Sequence, residues 1–103
     1  MKTRPQQGKR HQLLDEKREE ILRIAAEHGA SNVRLFGSVA RGEDDDESDI
    51  DLVVHLASDR SLLDHAALLL ALRSLLGLDL DVVTERGLKS EIRERVLREA
   101  VPI

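Results

Sequence analysis

The sequence predicts an α/β (α+β) fold, a small mixed β-sheet with flanking helices, and three observations predict it. Short runs rich in β-branched and aliphatic residues recur at 33–36, 49–54 and 78–84. Longer segments with helical start and stop signals lie between and around them, which is the alternation expected of sheet-plus-helix layers. Aromatic residues are almost missing, with one Phe and no Trp or Tyr, so the core of this 103-residue chain must be assembled from Leu, Val, Ile and Ala of both element types.

Residues 1–12 carry Lys2, Arg4, Lys9 and Arg10 with no acid, which reads as a disordered basic tail ahead of a single domain over 13–103. A first helix over 13–28 places Leu14, Ile21, Ile24 and Ala25 along one stripe and stops at Gly29. The strand at 33–36 runs into Gly37-Ser38, after which Val39-Ala40 opens a short helix. Residues 43–47 are consecutive acids, read as a solvated loop. Ser61-Leu62-Leu63-Asp64 is a capping box that opens a helix lasting to about residue 76. Its centre, 66–72, is apolar all round, and such a helix must be covered on every face. It is therefore either a fully buried crossover or part of an interface with another protein or a second copy. The last helix, 88–100, aligns Leu88, Ile92 and Val96 and exposes Arg93, Arg95 and Arg98, and the tail Val101-Pro102-Ile103 packs back or meets a partner.

Composition removes several function classes. A formal charge of −4 gives no basic field for nucleic acid, and no aromatic platform exists for stacking bases. The absence of cysteine excludes a disulfide framework and a thiolate zinc cluster. His11, His28, His55 and His65 lack metal-ligand spacing, and His55 reads as a strand-end residue. No apolar run approaches a membrane span, and the basic start lacks the apolar core of a signal peptide, so a cytoplasmic protein is expected.

The chemistry concentrates in two places. Asp49 and Asp51 are two residues apart on a strand, so they aim at one volume while Ile50 and Leu52 turn away. Two carboxylates so close raise one another's pKa unless a cation lies between them, and hard oxygen ligands select Mg²⁺ or Mn²⁺. Two such ions about 4 Å apart can clamp the attacking and leaving oxygens of an in-line displacement at phosphorus. A second pair of acids, Asp79 and Asp81, precedes Val82-Val83, and Asp81 is the better third ligand because it stands just inside the strand. The other place is the turn: Gly37 permits close approach of a ligand, Ser38 adds a hydroxyl, and Arg41 can reach a phosphate oxygen. No Gly-Lys-Ser/Thr follows, so this is not a P-loop.

The run Gly37-Ser38-Val39-Ala40-Arg41-Gly42, followed after five residues by Ser48-Asp49-Ile50-Asp51-Leu52, resembles the signature of the minimal nucleotidyltransferases of the DNA polymerase beta superfamily. Leu80-Asp81-Val82-Val83-Thr84 resembles the strand that carries that family's third carboxylate. The resemblance implies a polymerase beta-like palm without fingers or thumb, with no template channel, so nucleic acid is not the expected substrate. It implies that Gly37 and Ser38, with Arg41 nearby, hold the phosphates of ATP. It also implies that Asp49 and Asp51 bind Mg²⁺ and that Asp81 completes the site on the acceptor side, positioning or deprotonating the attacking hydroxyl. Members similar to this chain are antitoxins that move AMP onto a tyrosine of a HEPN ribonuclease toxin. With no tyrosine in this chain, the acceptor must be on another protein. A non-catalytic antitoxin that binds and occludes its toxin is the alternative, and an antibiotic-modifying transferase is a weaker third reading.

Overall fold

The β-branched runs pair into one mixed sheet. In the computed structural model, which describes residues 9–43 and 49–103, the element order is α1 (Lys9–Glu27), β1 (Ala30–Phe36), α2 (Gly37–Ala40), β2 (Ile50–Leu56), α3 (Leu62–Leu76), β3 (Leu80–Thr84), α4 (Ser90–Glu99) and β4 (Val101–Pro102). The strands lie in the order β3-β2-β1-β4. β1 is antiparallel to both β2 and β4, while β2 and β3 are parallel and joined by α3 as the crossover. No described helix is long and apolar enough to cross a membrane.

Alternation along the strands divides the side chains between two faces. Ile50, Leu52, Val54 and Leu56 of β2 join Leu80 and Val82 of β3 in the main core, which α1 and α3 close with Ile21, Ala25, Leu68 and Leu72. The other face is thinner: Val53 packs with Leu88, Val96 and the partly buried Phe36 and Val83 under α4. Asp51 and Asp81 share this second face with Val53 and Val83, so the carboxylates and α4 look at each other.

Several elements differ from their sequence-based bounds. The first helix starts at Lys9, so the end of the expected disordered tail, residues 9–12, is helical, and residues 1–8 lie outside the described part. β1 reaches back to Ala30 because the register slips between Ser31 and Arg34, where Asn32 takes φ +52, and this bulge keeps both Ala30 and Val33 pointing inward. β2 begins at Ile50, so Asp49 stands just before the strand rather than on it, and Asp79 likewise precedes β3. Ile92 does not share the buried stripe with Leu88 and Val96: it is 38% exposed on α4. The C-terminal tail packs back as β4, an edge strand against Arg34 and Leu35.

The capping box forms as expected, with Ser61 accepting from Leu63 N and the Asp64 carboxylate accepting from Ser61 N at 2.9 Å, and α3 ends at Gly77 in the left-handed conformation. The apolar helix is covered on one side only. Leu68, Leu72 and Leu76 are buried, whereas Leu62, Leu63 and Leu70 are 79%, 81% and 64% exposed.

Candidate active site

Phe36 ends β1 in an extended conformation and faces Asp51 across the antiparallel pair. The chain then turns sharply at Gly37, whose φ of +81 is open to glycine and strained for other residues. A Cβ on Gly37 would stand 2.5 Å from Oδ2 of Asp51. Glycine is therefore needed at this position twice, for its backbone and for the space the carboxylate fills. The single turn of α2 is anchored by the buried Val39 and extended by Glu43 N donating to Ser38 O at 2.9 Å. Ser38 is half-buried beside Gly37.

On the neighbouring strand, Asp51 and Asp81 are register partners across the parallel pair. Asp81 and Asp49 are exposed, and Asp51 is half-buried between them and the turn. The Asp51 carboxyl is pushed above the ordinary aspartate range, first by burial and then by the charges of Asp81, Asp49 and Glu99. Arg41, at the turn, is engaged by Glu43 and Glu99.

Sequence reading missed Glu99. It sits in the last turn of α4, and nothing in its local sequence marks it. Burial of Val96 three residues earlier sets the helix rotation that brings Glu99 to the Gly37 turn. Gly37 N donates to its Oε2 at 3.3 Å, and Arg41 Nη1 donates to its Oε1 at 2.8 Å. Burial acts to raise the Glu99 carboxyl, but those two hydrogen bonds and the charges of Arg41 and Arg95 outweigh it and hold the group below its usual range. Arg41 is raised in turn, chiefly through its hydrogen bonds to Glu99 and Glu43. Phe36, Gly37, Arg41, Arg95, Val96 and Glu99 line a cavity of about 480 Å³ beside the turn.

The donor set suits a hard divalent cation. It is all carboxylate oxygen, and the mutual repulsion recorded at Asp51 is what a cation would relieve. Among the described residues, no group of three acidic, His or Cys side chains is placed to hold a metal ion. The expected acid loop and Ser48 lie largely outside the described residues, which resume at Asp49. His55 lies near the end of β2, exposed, with Nδ1 3.5 Å from Glu85 Oε1. Asp79 is exposed at the entry to β3.

Residues 15–103 match the family model described as nucleotidyltransferase domain. A Thermococcus cleftensis protein named protein adenylyltransferase MntA is 42% identical over 73 residues, covering 71% of this chain and 74% of that protein. A Methanocaldococcus jannaschii protein provisionally named protein adenylyltransferase MJ0435 is 36% identical over 90 residues, covering 87% of this chain and 97% of its relative. Among solved structures, one provisionally described as a minimal nucleotidyltransferase superposes with a TM-score of 0.82 at 54% identity, over 89% of this chain and 94% of that one. A toxin-antitoxin structure with AMP-PNP shares the fold, with a TM-score of 0.70 at 24% identity over 82% of this chain and 69% of that one.

Proposed function

This chain belongs to the nucleotidyltransferase-domain family as one of its minimal nucleotidyltransferases, and from that premise we propose that it is an antitoxin that transfers AMP from ATP to a tyrosine of a HEPN ribonuclease toxin, thereby silencing it. The observation that carries the reading is the pairing of Asp51 with Asp81 in register, against a Gly37 turn that leaves no room for a side chain. Relatives named as protein adenylyltransferases, and a structural neighbour that is a toxin-antitoxin complex with AMP-PNP, support the choice of a protein acceptor and an adenine nucleotide.

In this mechanism Gly37, Ser38 and Arg41 hold the phosphates, and Asp49, Asp51 and Asp81 would hold Mg²⁺ or Mn²⁺. Bound there, the cation would offset the charge of the carboxylates and of the α-phosphate. The tyrosine oxygen bonds to the α-phosphorus as the bond to the bridging oxygen breaks, and pyrophosphate leaves. A phenol has a reference pKa of about 10, so a carboxylate at the acceptor side must take its proton, and Asp81 is that group. The chain's own contribution is positioning: a cross-strand pair and a one-turn helix fix donor and acceptor groups on rigid elements.

The exposed leucines of α3 favour a second reading, in which the chain inhibits its toxin by docking alone. One experiment separates the two. The chain is incubated with ATP, Mg²⁺ and the cognate toxin, and the toxin is weighed by mass spectrometry. Transfer adds the mass of AMP, and Asp49→Asn with Asp51→Asn abolishes the addition while the complex still elutes as one species. An unmodified toxin that is nonetheless inhibited by the wild-type chain refutes the catalytic reading.

A further inference from the structure

The Gly37 turn already has an anion in it, and the anion belongs to the protein. Glu99 presents one carboxylate oxygen to the Gly37 N–H and the other to the Arg41 guanidinium, two of the groups that would receive a nucleotide phosphate. A second guanidinium, Arg95, lines the same cavity one helical turn before Glu99 and contributes to the field that stabilises its charge. Resting on the nucleotidyl-transfer reading of this site, we propose that Glu99 is a resident anion that holds the phosphate seat in the nucleotide-free protein and competes with an incoming polyphosphate for it.

The physical argument is one of competition. The seat offers a backbone N–H, one guanidinium in contact and one at the rim, and it can satisfy one set of acidic oxygens at a time. Glu99 brings a single charge to a partly exposed site, with a long 3.3 Å contact to Gly37, so its hold is weak. A triphosphate brings several charges and engages the same donors, so it displaces the carboxylate. A nucleoside without phosphate does not enter the seat, so its binding is indifferent to Glu99. Glu99 also adds negative charge beside Asp51 while it stays in the seat. The displaced carboxylate remains on α4 beside Arg95, so the exchange requires no unfolding.

A bland alternative is that Glu99 only staples α4 to α2. The two differ in what binding reads. Titration of the full chain with ATP and, separately, with adenosine, followed by calorimetry in Mg²⁺ buffer, compares the wild type with Glu99→Gln. Because an exposed ion pair is weak, removing the competitor tightens ATP by roughly 1.5- to 5-fold, and somewhat more once the like charge beside the phosphates is gone. Adenosine binding is unchanged. Glu99→Ala behaves in the same direction, and a thermal melt of each variant confirms that it is folded. Wild-type ATP binding with no tightening, or with loss, in both variants overturns the resident-anion proposal and leaves nucleotidyl transfer standing. Failure of every form to bind ATP overturns both.

Discussion

Replacing Gly37 by alanine separates two demands that the fold makes of one position. The left-handed backbone at φ +81 costs a side-chain residue about 1–2 kcal/mol. The new Cβ also meets Oδ2 of Asp51 at 2.5 Å, so the carboxylate must rotate, and an off-rotamer side chain costs roughly 0.5–1.5 kcal/mol more. Gly77, with φ +69 and open space where a Cβ would go, supplies the control, since Gly77→Ala bears the backbone cost alone. At about 4–8 °C per kcal/mol for a domain near this size, Gly37→Ala lowers the melting midpoint by some 6–28 °C and Gly77→Ala by about 4–16 °C. The difference disappears when both glycine variants are made in an Asp51→Ala background, because the clash is then gone. Activity diverges further: an ångström of displacement at a carboxylate proposed to hold the metal costs on the order of 10²-fold in transfer rate, while Gly77→Ala retains it. Differential scanning calorimetry and a mass-resolved transfer assay measure the two effects. Equal destabilisation by the two substitutions, with full activity in Gly37→Ala, refutes the claim that the turn and Asp51 are built against each other.

The remaining outcomes follow from burial and charge. Native Asp51 binds its proton more tightly than the unfolded chain does, so metal-free stability falls as pH rises from the ordinary aspartate value through the raised native one. Asp51→Asn therefore stabilises the metal-free protein at pH 7 by about 0.2–1 kcal/mol, the range for like charges directly opposite in a sheet, and gives no gain near pH 3; calorimetry in EDTA reads it. Asp64 shows the opposite sign: its carboxyl is held low, chiefly by the Ser61 N–H, so its contribution is present above the unfolded aspartate value and is lost on acidification. Asp64→Asn is expected to destabilise at pH 7 and to approach the wild type once the wild-type Asp64 carboxyl is protonated. Leu68→Ala, in the buried row of α3, costs about 2–5 kcal/mol, whereas Leu70→Lys on the exposed row stays within about 0.5 kcal/mol, as chemical denaturation will show.

The parts legible in the sequence are those with a local cause. Ser61 and Asp64 cap α3 through contacts within four residues, and Gly77 ends it through its own backbone, so both helix ends could be placed from composition. The alternation in β2 likewise put Asp51 on one face and Ile50 and Leu52 on the other, as the buried core requires. What escaped depends on tertiary context. Ser31 and Asn32 look like loop residues, yet a bulge admits them to β1 because pairing with β2 supplies the hydrogen bonds. Ile92 fits the α4 periodicity as well as Val96 does, but Val96 is buried with Val53 and Leu88 while Ile92 stays exposed. Glu99 carries no motif at all. Its role exists only once α4 is laid across the sheet face that Asp51 and Asp81 occupy.

That uneven covering of the sheet is itself informative. The face under α1 and α3 is closed by a continuous aliphatic core, whereas among the described residues the buried cluster under α4 is Val53, Leu88 and Val96. A second complete layer there would add stability, since each buried aliphatic side chain contributes about 1.5–3 kcal/mol. It would also seal Asp51 and Asp81 away from any substrate. The face instead holds carboxylates that repel one another, a glycine in the left-handed conformation and a cavity bordered by arginines. The repulsion at Asp51 reduces the stability of the empty protein, and in the proposed function a polyphosphate and its counter-cations relieve it. Ligand binding should therefore raise the melting midpoint by more than affinity for one phosphate seat alone would give, and should do so only when nucleotide and divalent cation are supplied together. A midpoint that responds to ATP equally well in EDTA would mean that the aspartates and the Gly37 turn do not act as one site.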